Sequence, residues 1–540
     1  MKVLMVYPNL PLMMTPALAV ALFNTICKEE GAEFKLFETT EYSKEYENRH
    51  IALTKFGGNR GNQRGDTDDD YFDIKPLERI VPDFIETVES YKPDLILMYA
   101  QEDVVGVSLD LLNSIKDKNI PHIVGGVYAM SVPEELIREP LVNIICRYEG
   151  ETVVRQAIRA FKEKKAITGI DGIWWKDENG EIHRNKPAKL VDITEVEPDY
   201  SCYQKGRWER PMGGRHFYRA IAMETYRGCP YQCTYCNSPV TRDIAKGLDL
   251  GNFMRRKPAH IIEKELLNFF DKGLEPDLVI FIDDSFLARP AKEIYEFCDM
   301  WSKYKIPFWF NTRIENCKPD YLKALKEAGC YRMSFGIEAG NEEYRAKYLK
   351  RAVKNKVYHE HLKYINESNI PYSLNAIIGL PYETRELVLD TARLFHHAKG
   401  YDGITLAIWQ PYRGTELRDI AVEAGFIKRD DKIKMAGFLN FDNSDTGIKM
   451  PKPYLQQDEM AKLAKTFSLY AYYPEEIWDL VRESETNEKL YDELMKNYKQ
   501  NFYFGEFHSG GADKIQYLNK FCAKHDISST YQWETMVAIS

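Results

Sequence analysis

Apolar and polar positions along residues 1–165 alternate between two repeating patterns. Short, continuously apolar runs are followed by longer segments whose apolar residues fall on one helical face. The patterns predict strands at residues 3–7, 33–37, 94–99, 122–127 and 142–147, and helices at 17–30, 77–91, 107–118 and 152–164. Strands that are apolar throughout indicate a parallel sheet covered on both faces. We therefore predict an α/β fold that starts with a Rossmann-like, doubly wound domain over residues 1–165.

The alternation resumes after a connector at residues 166–215, which contains a predicted hairpin with its turn at 178–180. Within residues 216–428, six βα units are predicted, with strands at 218–225, 278–282, 308–311, 332–337, 373–378 and 404–409. Six successive units favour a partial TIM-like (βα)6 barrel, whose active-site residues belong at the carboxyl ends of the strands. Residues 429–540 lose the alternation and predict a mostly helical, aromatic-rich region that covers the substrate.

One segment breaks the regular spacing of the first domain. Residues 40–74 form a polar loop that contains GGNRGNQRGDTDDD. Loops of this length are usually functional or disordered, and the sequence leaves both interpretations open.

Composition and charge narrow the class of protein. The 540 residues are 44% hydrophobic and 29% charged, and the net charge of −9 argues against a nucleic-acid-binding surface. No apolar run is long enough for a membrane span, and prolines interrupt the apolar N-terminus, which predicts strand, turn and helix rather than a signal peptide. Ten scattered cysteines do not resemble a disulfide framework, so we expect a reducing cytoplasm.

Three of the cysteines stand together where the first barrel strand is predicted to end. Cys229, Cys233 and Cys236 have the spacing C-x3-C-x2-C. Three thiolates can hold three irons of a [4Fe-4S] cluster and leave the fourth iron open to a small molecule. A zinc site with Cys202 or His216 as fourth ligand is one alternative, although zinc sites usually use paired C-x2-C units. A purely structural role of the three cysteines is the other.

This spacing, with Tyr235 before the last cysteine, resembles the signature of the radical S-adenosylmethionine (SAM) superfamily. Later strand ends resemble the same superfamily over residues 217–425, through FIDDSF (281–286), NTR (311–313), GIEAG (336–340), NAIIGLPYE (375–383) and PYRGTEL (411–417). The resemblance implies that the open iron chelates SAM and that one electron cleaves it to a 5′-deoxyadenosyl radical. The Gly-Gly-Glu element of many members is absent, and the second strand offers two aspartates instead. The implied SAM-binding residues are Tyr235, Asp283, Asp284, Arg313, Glu338, Gly379 and Gln410.

The first domain lacks the G-x-G-x-x-G loop of dinucleotide-binding proteins, since YPNLP follows its first strand. It resembles instead the cobalamin-binding domain of one branch of radical SAM enzymes, through PNLP (8–11), VGGV (124–127) and RYEGE (147–151). A simple tight turn is the alternative explanation of the glycine pair. The implied cobalamin-binding residues are Pro8, Asn9, Tyr99, Gln101, Gly125, Gly126, Val127, Glu149 and Gly150.

The D-x-H-x-x-G motif that supplies a histidine to cobalt in other cobalamin enzymes is absent. The resemblance therefore implies base-off cobalamin with no histidine from that motif, and His50 in the polar loop is the alternative ligand.

The order of domains resembles class B radical SAM methyltransferases. It implies methylation of an unactivated carbon of a small molecule or natural product through a 5′-deoxyadenosyl radical and methylcobalamin. No catalytic residue is implied beyond those that hold cofactors, and a flavodoxin or ferredoxin is the implied electron donor. The alternatives are a cyclase, oxidase or rearrangement enzyme with both cofactors, a radical SAM enzyme without corrinoid, and a non-catalytic metal-binding module. The sequence does not identify the substrate.

Overall fold

A computed structural model describes residues 1–10, 15–43, 74–212, 215–398, 400–431 and 448–503. Residues 44–73 of the predicted polar loop, with His50, and Pro11 of the PNLP element lie outside the described residues.

The first part of the chain alternates strands and helices as the sequence predicts. Its strands are β1 (Lys2–Tyr7), β2 (Glu33–Glu38), β3 (Tyr42–Ser43), β4 (Lys75–Pro76), β5 (Leu95–Tyr99), β6 (His122–Gly125), β7 (Ile144–Cys146), β8 (Ile173–Lys176) and β9 (Ile182–Arg184). Its helices are α1 (Leu18–Glu29), α2 (Ile80–Tyr91), α3 (Val105–Ser114), α4 (Val127–Ser131), α5 (Pro133–Arg138) and α6 (Glu151–Lys162). The central strands β1 and β5 are almost wholly buried, as expected for a sheet with helices on both faces.

The first sheet has the strand order β2-β1-β5-β6-β7-β8-β9. The first five strands in this order, β2, β1, β5, β6 and β7, are parallel. Strand β8 pairs antiparallel with β7 and with β9. The predicted hairpin therefore forms the edge of this sheet, although the sequence places it in the connector. The strand order reverses at β1, so the crevice beside the ends of β1 and β5 is where such a sheet binds ligands. There the rings of Tyr7 and Tyr99 stack with centroids 4.4 Å apart.

The second part contains the remaining elements of the fold. Its strands are β10 (Arg210–Met212), β11 (Arg215–Phe217), β12 (Ala220–Met223), β13 (Tyr226–Arg227), β14 (Arg255–Arg256), β15 (Leu278–Phe281), β16 (Phe308–Thr312), β17 (Cys330–Glu338), β18 (Tyr372–Ile378) and β19 (Gly403–Ile408). Its helices are α7 (Asn237–Gly247), α8 (Ala259–Asp271), α9 (Ala291–Trp301), α10 (Pro319–Ala328), α11 (Glu342–Leu349), α12 (Asn355–Ser368), α13 (Arg385–Ala398), α14 (Glu416–Glu423), α15 (Gln457–Tyr472), α16 (Trp478–Ser484) and α17 (Glu488–Tyr503).

Six parallel strands form the second sheet in the order β12-β15-β16-β17-β18-β19. The terminal strands β12 and β19 are not paired with each other, so the barrel is open, as predicted. The β10–β11 hairpin packs Met212 and Phe217 against Ala220, Leu278 and Ile280 at the amino ends of the strands. The α/β fold class with a Rossmann-like domain, a partial barrel and a helical C-terminal region is confirmed, while the domain boundaries at 165, 215 and 428 stay predictions.

Within the described ranges, no helix combines the length and the apolar composition that crossing a membrane requires.

Candidate functional site

The cysteine loop begins where the first barrel strand ends. After β12 the chain forms the short strand β13, which pairs antiparallel with β14, and the loop then leads into α7. Cys233 is buried, and Cys229 and Cys236 are half-buried. Cys236 is the N-cap of α7, where its Sγ accepts a hydrogen bond from the Ser238 amide at 3.4 Å. The loop thus presents three thiols at the carboxyl edge of the barrel.

Two arginines hold this loop. Arg313, at the end of β16, donates from Nη2 to the Cys233 Sγ at 2.7 Å, and its guanidinium lies 3.5 Å from the centre of the Tyr231 ring. Arg242 of α7 donates to the carbonyls of Tyr231 and Pro230 at 3.0 and 3.3 Å. The Arg313 guanidinium therefore places a positive charge beside a cysteine sulfur, and the thiolate is the form of cysteine that binds metal. Arg313, expected to bind SAM, thus contacts a cysteine of the loop.

The donor set fits an iron–sulfur cluster better than a single zinc ion. Among the described residues, the His, Cys, Asp and Glu side chains whose ligand atoms all lie within 4.8 Å of one another are Asp177, Glu181 and His183. The three cysteine sulfurs do not meet this criterion, so at least two of them lie more than 4.8 Å apart. Tetrahedral zinc draws its thiolates closer together than that, whereas a cluster places each thiolate on a different iron. The half-buried Cys202, the suggested fourth zinc ligand, has its Sγ 3.9 Å from the Asp199 carbonyl.

A polar triad of the half-buried Tyr235 and Glu338 and the buried Arg351 lies beside the loop. Glu338 Oε1 accepts hydrogen bonds from the Tyr235 hydroxyl at 3.2 Å and from Arg351 Nη1 at 3.3 Å, and Arg351 also donates to the Tyr235 hydroxyl at 3.0 Å. Burial raises the pKa of Glu338, while Arg351 works in the opposite direction. Glu338 has a φ of +67°, a strained conformation for a residue with a side chain. Tyr235 and Glu338 are thus brought together, and sequence reasoning missed Arg351 because it belongs to no motif.

The two aspartates after β15 have different surroundings. Asp283 is buried and accepts hydrogen bonds from the Thr225 amide at 2.7 Å, the Tyr226 amide at 3.1 Å and Arg289 Nη2 at 2.6 Å. Its carboxylate therefore fastens the chain that leads into the cysteine loop. Asp284 is exposed and accepts a hydrogen bond from the Ser238 hydroxyl at 3.0 Å, beside Cys236.

Gly379 and Gln410 lie just after the next two strands, β18 and β19. Gly379 has a φ of +79°, and a Cβ there would lie 2.4 Å from Met460 Sδ of α15, so only glycine fits. The Gly379 amide donates to Glu383 Oε2 at 2.6 Å. Glu383 is buried, which raises its pKa to about 8. Gln410 is buried just after β19. Together with Glu338, these residues occupy the carboxyl ends of three neighbouring strands.

The first domain contains a cavity of about 290 Å³ between its sheet and helices α1 and α6. Five of the predicted cobalamin-binding residues line it: Tyr99, Gly125, Gly126, Glu149 and Gly150. Gly126 directly follows β6 with a φ of +114°, and a Cβ there would lie 2.6 Å from the Ala100 carbonyl oxygen. The strand predicted over 122–127 therefore stops at Gly125, and Val127 starts α4.

The other predicted residues of this domain lie outside the cavity lining: Pro8, Asn9, Gln101 and Val127. The Asn9 amide donates to Thr39 Oγ1 at 2.8 Å, which ties the loop after β1 to the end of β2. Gln101 accepts from the Tyr99 hydroxyl at 2.8 Å and donates to Asp103 at 2.9 Å.

An ion-pair network joins this cavity to the cysteine loop. Arg227 donates to Glu224 at 2.7 Å, to Glu151 at 2.8 Å and to Glu149 at 3.1 Å. Arg255 also pairs with Glu149, at 2.6 Å. Burial works to raise the pKa of Glu149, but Arg255 and Arg227 hold it below its ordinary value. Glu149 is therefore engaged with the barrel, and Arg227 was not found from sequence because two of its partners, Glu149 and Glu151, are distant in the chain.

A second contact joins the domains at the loop after β19. The buried Arg413 donates from its backbone amide to Glu102 at 2.8 Å and from Nη1 to the Tyr128 hydroxyl at 3.0 Å. The Tyr412 hydroxyl donates to Asp103 at 2.7 Å. The segment after β5 and helix α4, which follows the glycine pair, are thus both held by the barrel.

Comparison with known proteins supports this architecture. The sequence profile of the Radical SAM superfamily matches residues 223–395, which contain the three cysteines and the strand ends described above. Residues 223–395 therefore form a radical SAM domain. A solved structure of the cobalamin-dependent SAM radical enzyme OxsB with aqua-cobalamin and SAM bound superposes with a TM-score of 0.62 at 16% identity, covering 98% of this chain and 76% of OxsB. The chain thus shares its fold with OxsB.

Two curated relatives differ in their named reactions. An uncharacterized methyltransferase of Pyrococcus horikoshii is 24% identical over 354 residues, which cover 63% of this chain and 72% of the relative. The anaerobic magnesium-protoporphyrin IX monomethyl ester cyclase of Cereibacter sphaeroides is 24% identical over 337 residues, 59% of this chain and half of the cyclase.

Proposed function

We propose that the chain is a cobalamin-dependent radical SAM methyltransferase that methylates an unactivated carbon of a small molecule. The observation that supports this proposal most directly is that the cavity of the first domain and the cysteine loop share one wall. Glu224 and Arg227 line the cavity of the first domain, and Cys229 follows Arg227 by two residues. A methyl carrier and a radical source have to reach the same substrate carbon, and adjoining sites meet that requirement.

The residues at the barrel edge would hold the cluster and SAM. Cys229, Cys233 and Cys236 would be the iron ligands, and Arg313 would stabilise their negative charge. When bound, the cluster supplies the electron that cleaves SAM to a 5′-deoxyadenosyl radical. The Glu338 carboxylate and the exposed Asp284 offer acceptors to the SAM amine or ribose.

The remaining strand ends have supporting roles in this proposal. The positive φ of Gly379 exposes backbone to the adenine, and Gln410 adds an amide. Asp283 is assigned as a positioning residue, because its carboxylate is already fully engaged with Thr225, Tyr226 and Arg289.

The first domain would bind cobalamin in the base-off form. Its cavity offers space for the benzimidazole base, and the described residues that line it include no histidine to replace that base on cobalt. The glycines at the cavity rim let the backbone approach a bulky cofactor closely.

Helix α15 supports the placement of the substrate. Met460 of α15 contacts the Gly379 turn, and the Leu455 amide, just before α15, donates to the Glu383 carbonyl at 2.8 Å. The C-terminal region therefore lies against the carboxyl edge of the barrel, where it would cover a small-molecule substrate. A one-electron donor such as a flavodoxin or ferredoxin and a reducing compartment such as the cytoplasm complete the proposal.

The test uses the full chain, reconstituted anaerobically with iron, sulfide and cobalamin and reduced in the presence of SAM with a deuterated methyl group. We expect 5′-deoxyadenosine by chromatography and the deuterated methyl group in the corrinoid fraction by mass spectrometry. Neither readout requires the substrate to be known.

The outcomes separate the alternatives. Deoxyadenosine without label on the corrinoid would refute methyl transfer and favour a cyclase, oxidase or rearrangement reaction, as named for the Cereibacter sphaeroides relative. Deoxyadenosine with no corrinoid retained would point to a radical SAM enzyme with an empty first domain. A reconstituted cluster that yields no deoxyadenosine would favour a non-catalytic metal-binding module.

A further inference from the structure

The cavity of the first domain is enclosed mainly by apolar side chains. The strands of the first sheet and helices α1 and α6 supply most of its lining, to which the barrel adds Glu224 and Arg227. The apolar side chains of the lining include Met5, Leu97, Met98 and Ile123 on the strands, Leu18, Leu22 and Phe23 on α1, and Val153 and Val154 on α6. All but Phe23 are buried in the fold. Such walls favour apolar surface and penalise unpaired polar atoms.

The uncharged polar side chains of the lining already have partners inside the protein. The Tyr99 hydroxyl donates to Gln101 at 2.8 Å, and the Tyr148 hydroxyl donates to the Thr241 carbonyl at 2.6 Å. The Cys146 Sγ lies 3.7 Å from the Glu149 carbonyl.

The charged residues of the lining are likewise engaged. Glu149, Glu151 and Glu224 are each paired with Arg227 at 2.7 to 3.1 Å. A ligand in this cavity would therefore meet few free donors or acceptors from these side chains.

The size of the cavity limits what it can hold. A volume of about 290 Å³ lies at the lower end of the usual range for ligand pockets, roughly 300 to 1,000 Å³. This is room for one fused aromatic ring system and its attachment, and too little for a corrin macrocycle. The macrocycle would lie outside, and only the base at the end of its nucleotide tail would enter.

We propose that this cavity selects the corrinoid by the polarity of its lower base, taking benzimidazole bases and rejecting purine bases. This inference rests on the proposed function, since it requires a corrinoid in the first domain. Dimethylbenzimidazole presents methyl groups and carbon edges to the apolar walls. Adenine carries an exocyclic amine and additional ring nitrogens, which would find few free hydrogen-bond partners among these side chains. Unpaired polar groups of this kind weaken binding by about ten- to a hundredfold.

The test compares three corrinoids on the full chain with its cluster reconstituted. Cobalamin, the adenine-based analogue and cobinamide, which lacks a lower base, are titrated anaerobically and followed by the corrinoid absorbance spectrum. We expect cobalamin to bind about ten- to a hundredfold more tightly than the adenine analogue, and cobinamide to bind more weakly than cobalamin.

The failures of the two proposals are distinguishable. If no corrinoid binds, the proposed function is wrong. If the adenine analogue binds as tightly as cobalamin, the base selection is refuted while corrinoid binding stands. Equal affinity for cobinamide would show that no base enters the cavity.

A variant pair locates the effect in the cavity. Ala19 lines the cavity yet is exposed on α1, so Ala19→Phe fills the space without disturbing the core. We expect this variant to lose the preference for cobalamin over cobinamide. Ala291→Phe, an exposed alanine of α9 outside the cavity, is the matched control and should keep it. An unchanged preference in Ala19→Phe would contradict the proposal.

Discussion

The carboxyl edges of the two sheets are built in opposite ways. The barrel edge presents thiols, carboxylates and guanidinium groups, such as Cys233 held by Arg313 and Glu338 held by Arg351. The edge of the first sheet presents glycines and an apolar cavity whose polar groups are already paired. One edge is defined by the ligand atoms it supplies and the other by the space it leaves. Changes to single ligand atoms should therefore disable the first site, whereas changes of shape should disable the second.

The largest effect is expected at the cysteine loop. Cys233→Ser replaces a soft thiolate with a poor iron ligand, so we expect loss of most cluster iron and at least a hundredfold less deoxyadenosine (on the order of 3 kcal/mol). Iron analysis and chromatography measure both. Cys202→Ser, at a half-buried cysteine outside the loop, should retain the cluster. Full iron content in Cys233→Ser would contradict the assignment.

Removing the charge that joins the two edges should have the next largest effect. Arg227→Met leaves Glu149, Glu151 and Glu224 without their shared partner, and we expect a loss of about 2 to 3 kcal/mol in the free energy of unfolding. Urea denaturation measures it.

The matched control for this change is Arg184→Met. It breaks an exposed pair with Glu134, whose side chains are 43% and 44% exposed, and should cost under about 1 kcal/mol. Equal losses in the two variants would show that the interdomain network adds no stability.

A shape change at the first sheet should have a smaller effect on stability. Gly126→Ala and Gly180→Ala both place a side chain at positive φ, but only at Gly126 does the new Cβ meet neighbouring atoms. We therefore expect Gly126→Ala to lower the free energy of unfolding by about 1 to 2 kcal/mol more than Gly180→Ala. We also expect weaker corrinoid binding with unchanged iron content. Identical melting curves for the two variants would argue against a tightly packed glycine turn.

The smallest effect concerns pH. Burial raises the pKa of Glu383 from its ordinary value of 4.5 to about 8, so the folded state holds this proton more tightly than the unfolded state. The stability that this proton contributes is present below pH 4.5 and is lost as the pH rises towards 8. Relative to Glu383→Gln, the wild type should lose about 1 kcal/mol between pH 5 and 6.

Denaturation of both proteins across this range measures the difference. Glu386→Gln, which removes an exposed carboxylate nearby, should follow the wild type. A pH-independent difference between wild type and Glu383→Gln would refute the raised pKa.

The contrast between the carboxyl edges of the two sheets also explains which features of the fold and the site could be predicted from the sequence. The βα alternation predicted both sheets because central strands that are buried on both faces must be apolar. The cysteine spacing and the strand-end motifs were visible because ligand atoms need particular residue types. The sheet-edge position of the β8–β9 hairpin was missed, since strand pairing across the connector leaves no local pattern.

Long-range partners explain the remaining differences at the site. Asp283 was predicted to bind SAM because of its position after β15, and the fold adds that its carboxylate accepts hydrogen bonds from Thr225 and Arg289. Arg313 proved to contact Cys233, and Glu149 proved to join the domains through Arg255. Arg351 and Arg227 carry no motif, and only the fold brings them to Glu338 and Glu149. The cavity is space that no side chain fills, and such a space cannot be predicted from the pattern of residues.

The central claim is that the cysteine loop and the cavity of the first domain serve one reaction centre. The most direct measurement is electron paramagnetic resonance of the full chain, reconstituted anaerobically and reduced so that cluster and corrinoid are both paramagnetic. We predict magnetic coupling, seen as broadened or split signals that become sharp when either cofactor is omitted. Two independent signals that simply add would contradict the claim.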